Sequence, residues 1–190
     1  MVKIKALVFA AAFAALTACA TPPPSTGDEV QRLASEIRNL GPDVDEEEAD
    51  RAARIAYSYT AQLVQEYEIT DPPLIHNAKV NKGLRPRGLC WHWAEDIERR
   101  LKQEGFETLT LHRAIANADN PLRIDHSTAI ISRKGDSMYE GVVLDPWRYG
   151  GVLFWSPLPE DKRYDWVPRE VVLEQRRQEQ VARLKPLEIN

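Results

Sequence analysis

The sequence predicts an α+β domain, with helices first and an antiparallel sheet after them. Apolar residues recur at helical spacing through the first half of the chain, to about residue 104. From about residue 108 the pattern changes to alternating and short apolar runs separated by turn residues, and no internal repeat interrupts this order. Helical period followed by strand period in separate blocks is the signature of the α+β class.

The element order begins after a leader. Met1-Val2-Lys3-Ile4-Lys5 is a short basic start, and Ala6 to Leu16 is an apolar run of 11 residues. A helix needs about 20 residues to cross a bilayer core, so this run is a secretory signal rather than a span. It ends Leu16-Thr17-Ala18-Cys19, which resembles the lipobox of bacterial lipoproteins. The resemblance implies cleavage before Cys19 and acylation of its sulfur and amine, an anchor of several chains that holds stably in a membrane. Ala20, rather than an aspartate, follows the cysteine. The lipoprotein rule then implies the outer membrane, facing the periplasm. Residues 1–18 are thus read as signal peptide, 19–28 as lipid anchor and tether, and 29–190 as the folded domain. The tether, Ala20-Thr21-Pro22-Pro23-Pro24-Ser25-Thr26-Gly27-Asp28, is too rich in proline and small polar residues to build a core.

A short helix is expected over about 28–40, where Val30, Leu33, Ile37 and Leu40 share a face before Gly41-Pro42 stops it. A longer one is expected over about 46–68, with Asp45 as N-cap and Glu48 three residues on in a capping-box pattern. Residues 70–89 read as irregular, because Pro72, Pro73, Gly83, Pro86 and Gly88 break any period. A third helix runs from about Leu89 to Glu104, with Ala94, Ile97 and Leu101 on one face and Gly105 as its stop. Strands follow at Thr108–Ile115, His126–Ser132 and Tyr139–Asp145, the last two joined by the turn Lys134-Gly135-Asp136-Ser137 as an antiparallel pair. A short strand is expected at Val152–Phe154. A charged helix over about 168–184, with Pro168 in its first turn, closes the chain.

Charge and cysteine content narrow the function. The chain carries 25 Lys and Arg against 29 Asp and Glu; loss of Lys3 and Lys5 with the leader takes the net charge from −4 to −6. An acidic domain without a basic run excludes nucleic acid as the expected partner. Only Cys19 and Cys90 are present. Once Cys19 is acylated, Cys90 has no partner in a compartment where cysteines usually pair. It is either a buried, inert thiol or a reactive one.

Reactive cysteine chemistry needs a stabilised thiolate, a base within reach and a group that orients the base. Cys90 falls at the start of the third helix, in Arg87-Gly88-Leu89-Cys90-Trp91-His92-Trp93-Ala94. Unsatisfied N–H groups and partial positive charge at a helix N-terminus favour a thiolate and can stabilise an oxyanion. His126 opens one strand and Asp145 ends the next, in Val143-Leu144-Asp145-Pro146-Trp147. If those strands form a hairpin, the two ends lie side by side.

The order of Cys at a helix start, His on a strand and Asp on the next strand in an Asp-Pro-Trp stretch resembles the transglutaminase-like superfamily of papain-like cysteine enzymes. The likeness covers about residues 85–150, with 36 residues from Cys90 to His126 and 19 from His126 to Asp145. It implies a papain-like fold with Cys90 as nucleophile, His126 as base and then acid, and Asp145 as orienting carboxylate. It also implies hydrolysis or transamidation of an amide or peptide through a thioacyl intermediate, with no metal or organic cofactor. The family's oxyanion side chain has no clear match; Asn77 or Asn81 is the candidate donor beside the Cys90 N–H. Trp91 and Trp147 flank the proposed catalytic positions and are candidates to line a substrate groove.

Three other histidines compete as base. His92, two residues after Cys90 on one helix, points about 200° away. His112 sits on an earlier strand and His76 in the Pro-rich loop. Zinc is the other chemistry for these residue types, with Cys90, His126, Asp145 and a fourth ligand, but zinc sites usually carry paired ligands at short spacing and those at Cys90-x-His92 would point apart. A non-catalytic papain-like binding or assembly module remains the alternative from another class. An NlpC/P60-like peptidoglycan peptidase is the alternative enzyme, from which Asp145 in an Asp-Pro-Trp stretch departs.

Overall fold

A computed structural model of the chain describes residues 26–184. The expected leader, Cys19 and nearly all of the tether lie outside these residues. The described part is mixed α and β: five α-helices and one five-stranded antiparallel sheet in the order β4-β3-β2-β1-β5.

Helix α1 (Gly27–Arg38) starts from Thr26, whose hydroxyl accepts from Glu29 N–H while the Glu29 carboxylate accepts from Thr26 N–H. This reciprocal cap satisfies two helix-end donors. Helix α2 (Glu46–Glu66) starts from Asp45, which accepts from Glu48 N–H. The second half of the expected capping box does not form. The Glu48 carboxylate instead leaves the helix and accepts from Glu107 N–H, Thr108 N–H and the Thr108 hydroxyl at 2.6–2.9 Å. Burial raises its pKa, but these bonds outweigh burial and hold it below the usual carboxylate value. Glu48 therefore ties α2 to the start of the sheet.

The segment expected to be irregular contains helix α3 (Pro73–Asn81). Pro73 stands at its first turn, where a missing N–H costs nothing, so the Pro-Pro pair opens a helix rather than breaking one. Helix α4 (Cys90–Lys102) begins one residue later than expected.

The strands are β1 (Leu109–Ala116), β2 (His126–Arg133), β3 (Val142–Asp145), β4 (Phe154–Pro157) and β5 (Val167–Pro168). Strand β3 is shorter than expected because Met138–Glu140 forms a 3-10 turn. Strand β4 begins two residues late: Gly150 and Gly151 adopt left-handed backbone (φ 63° and 95°), so pairing starts only at Asp145 opposite Phe154. Pro168 lies in β5, opposite Ala114, and the last helix, α5 (Arg169–Leu184), starts after it. An edge strand tolerates a proline that cannot donate to a ladder.

Alternation along the strands sorts the core into two layers. Leu109, Leu111, Ala129, Ile131, Val142 and Leu144 pack on α1, α2 and α4 with Leu33, Ile37, Leu63, Trp93, Ile97 and Leu101. The opposite parity, with Ala114, Ala116, Ile130 and Val143, is covered by Met138, Leu158, Tyr164 and Trp166. Central β2 is buried along nearly its whole length.

Candidate active site

Three chain-distant residues meet at one end of β2. Ala129 lies opposite Leu144, so the same register places position 128 opposite 145, and His126 shares its parity with Asp145. The result is a hydrogen bond of 2.7 Å from His126 Nε2 to Asp145 Oδ2, both side chains only 1% exposed. Cys90 comes to the same end from the first residue of α4, 7% exposed, and its thiol donates to the Asp125 carbonyl at 3.5 Å. With Nε2 committed to Asp145, Nδ1 is the ring nitrogen left for the sulfur. It is buried and makes no hydrogen bond among the described residues.

The imidazole is caged by aromatic rings. Trp147, Tyr164 and Trp166 lie 4.7, 4.6 and 5.3 Å from it, centroid to centroid. Burial disfavours an imidazolium there, but the Asp145 charge and hydrogen bond, then the neighbouring Cys90 side chain, prevail and push the His126 pKa up to about 9.

Behind the pair stands a network not foreseen from the sequence. Arg148 Nε donates to the same Asp145 Oδ2 at 2.9 Å, and Arg148 N–H donates to Oδ1 at 3.1 Å. Its two terminal nitrogens grip Asp161 in a fork, at 3.0 and 2.6 Å. Asp161 also accepts from Trp166 Nε1 at 2.9 Å, and the guanidinium lies 3.7 Å from the Phe154 ring centroid. Arg148 had a readable signal, a cation three residues after the carboxylate in Asp145-Pro146-Trp147-Arg148. Asp161 had none, since nothing local links it to the site.

The helix start that presents Cys90 is built by its neighbours. Gly88 has φ 121°, and a Cβ there would sit 2.4 Å from His76 Nε2 and 3.3 Å from Ile69 Cδ1. His76, on α3 and buried, hydrogen-bonds the Arg87 carbonyl at 2.8 Å. His92 turns away from the sulfur, as its helical position requires. Its Nδ1 accepts from Gly88 and Leu89 N–H at 3.1 and 3.2 Å, taking the capping role that apolar Leu89 cannot fill. Burial, then the Arg87 charge, push the His92 pKa down to about 4. The remaining histidine, His112, pairs with Ser132 Oγ at 2.8 Å on β1.

Gly88→Ala is expected to cost at least ~2 kcal/mol, from left-handed backbone strain plus contact with His76. Urea unfolding measures it, and an unchanged midpoint would refute the assigned strain.

The secondary candidates separate. Asn77 Oδ1 accepts from Trp147 Nε1 at 3.0 Å, which brings Asn77 beside the ring on His126 and leaves its amide nitrogen as a donor. Asn81, at the end of α3, is exposed and makes no such link. Trp147 is buried against His126, so it serves packing rather than an open groove, whereas Trp91 is 45% exposed at the helix start. Clefts of about 940 and 550 Å³ lie elsewhere, one lined by Glu98, His112 and Arg169 and the other by Asn120, Arg123 and Arg176. Among the described residues no group of three or more His, Cys, Asp or Glu side chains is arranged to hold a metal ion.

The fold and site define an α+β protein with a buried cysteine–histidine–aspartate cluster at the meeting of a helix N-terminus and a sheet end. Comparison with protein-family models, curated proteins and solved structures finds no match to the chain.

Proposed function

We propose that the chain is a papain-like, transglutaminase-like acyl-transfer enzyme that cleaves or exchanges amide bonds of peptides or proteins. The observation that carries this reading is the juxtaposition itself: Cys90 at a helix N-terminus, beside His126, whose other nitrogen is held by Asp145. A helix start, an imidazole and a buried carboxylate supply the three requirements of thiol nucleophilic catalysis.

His126 Nδ1 takes the Cys90 thiol proton, the sulfur attacks the amide carbonyl carbon, a C–S bond forms, and the carbonyl π pair moves to oxygen. The first-turn N–H of Cys90, with the Asn77 amide, receives that charge. Collapse breaks the C–N bond as the His126 imidazolium gives its proton to the leaving amine. The neutral ring then deprotonates water or an amine, which attacks the thioester and releases the thiol. Water yields a carboxylate and an amine yields a new amide.

The test needs no natural substrate. Purified protein incubated with p-nitrophenyl acetate is expected to carry an acetyl group on Cys90 by peptide mass spectrometry. His126→Ala should slow acetylation by about 10²–10⁴-fold, the usual contribution of a general base. Equal acetylation of the two proteins, or labelling spread over lysines, would discard the reading.

The burial of Cys90 and the position of the two clefts favour a second reading, a non-catalytic binding or assembly module. It predicts an inert thiol in the same experiment. The proposal also places the domain on a membrane through acylated Cys19. No described helix is long and apolar enough to cross a membrane. Cys19→Ser should move the protein from the membrane to the soluble fraction of the expressing cells and abolish palmitate incorporation; retention of either would exclude the anchor.

A further inference from the structure

We propose that Asp161 is a positioning residue that acts on His126 through Arg148, holding the guanidinium charge so that Asp145 keeps its own charge for the imidazole. The inference draws its purpose from the acyl-transfer reading, but its physical content concerns one proton equilibrium and stands on geometry.

Asp145 Oδ2 accepts from two groups at once, His126 Nε2 at 2.7 Å and Arg148 Nε at 2.9 Å. An imidazolium and a guanidinium on one oxygen lie within about 6 Å of each other, the range over which like charges displace a pKa. At an effective dielectric near 20 that repulsion is worth roughly two pKa units, enough to cancel much of what Asp145 provides. Left alone, Arg148 would orient the carboxylate and at the same time quench it. Asp161 resolves this conflict. It takes both terminal nitrogens of Arg148 in a fork and is itself fixed by Trp166 Nε1 and Arg163 N–H, at 2.9 and 3.2 Å. Asp161 and Arg148 are 8% and 7% exposed, so water screens this charge alternation little. Cation and anion alternate inward from Asp161 through Arg148 and Asp145 to His126.

The other titratable or charged groups around the ring come from every packed element. Cys90 faces it from α4, Tyr164 stacks on it with Arg163 beside, and Asp125 precedes it in the chain, paired at 2.6 Å with Arg176 of α5. None of these grips Arg148 as Asp161 does.

The experiment is an NMR titration of the His126 ring in labelled protein, assigned by comparison with His126→Gln. Asp161→Asn should lower the His126 midpoint by about one unit. The double variant Arg148→Gln/Asp161→Asn removes both charges together and should return the midpoint to the wild-type value or above. A midpoint unmoved by Asp161→Asn, or a double variant as low as the single, overturns the proposal. If Asp161→Asn does not fold, the double variant decides, because it buries no unpaired charge and leaves the net charge unchanged; a midpoint below wild type there is fatal. The readout uses no substrate. An inert Cys90 would defeat the acyl-transfer reading and leave this result standing, and the converse holds equally.

Discussion

Asp145→Ala is expected to be the most damaging single substitution in the site. It removes the acceptor of His126 Nε2, of Arg148 Nε and of Arg148 N–H in one step. His126 and Arg148 would stay buried, the first without its counter-charge and the second balanced by Asp161 alone. Removing one partner of a buried ion pair costs about 3–5 kcal/mol, while a domain holds about 5–15 kcal/mol in total. Asp145→Asn keeps the shape and one acceptor and should cost less, about 1–3 kcal/mol. Where the variant stays folded, acetylation of Cys90 should fall by about ten-thousand-fold, the scale seen when a triad carboxylate no longer orients its histidine. Urea unfolding and acetylation rates measure both effects. An unfolding midpoint equal to that of the wild type would mean that the Asp145 pair is not the keystone of this sheet end.

Stability should peak near pH 6.5 and fall on both sides. The folded pKa of His126 is raised from 6.5 to about 9, because the Asp145 charge and hydrogen bond, with Cys90, overcome the burial that opposes an imidazolium. Between those values the folded state binds more protons than the unfolded state. The contribution is therefore complete below 6.5 and is lost as pH rises through about 9; a shift of that size is worth roughly 3 kcal/mol. His92 has the opposite sign. Its folded pKa is depressed to about 4, since burial and the Arg87 charge oppose protonation and Nδ1 is already an acceptor for two backbone N–H groups. That contribution is complete above 6.5 and lost as pH falls toward 4. Urea midpoints from pH 4 to 10 should show both limbs. His126→Gln should flatten the alkaline limb alone, and Cys90→Ser removes the sulfur from the same comparison. An alkaline limb that survives in His126→Gln/Cys90→Ser would assign the loss to other groups.

The two predictions draw on residues with very different visibility in the sequence. Cys90, His126 and Asp145 were readable because each sits at an element end with a local signature. Gly88 precedes a helical face, the turn at Lys134–Ser137 joins β2 to β3, and Asp145 closes an apolar run before Pro146. Their approach followed from strand parity, which fixes that 126 and 145 share a face once the two strands pair. Helix α3 was missed because Pro72-Pro73 reads as a breaker when its neighbours are unknown, although Pro73 stands where a helix accepts proline. The capping box at Asp45 was half right: Glu48 had the spacing but found stronger donors at Glu107 and Thr108.

The amino-acid order by itself determined the α+β layout, the placing of a lone thiol at a helix start and the pairing of an imidazole with a carboxylate. The leader and lipobox are an expectation read from residues adjacent in the chain, and they lie outside the described residues. Only the tertiary structure decided that Arg148 braces Asp145, that Asp161 holds Arg148, that three aromatic rings enclose His126, and that His92 caps the helix carrying Cys90. The reason lies in the range of the forces. Periodicity and parity are imposed by backbone geometry over a few residues, whereas a buried donor or charge must find its partner within about 3 Å among whichever segments the packed core brings together.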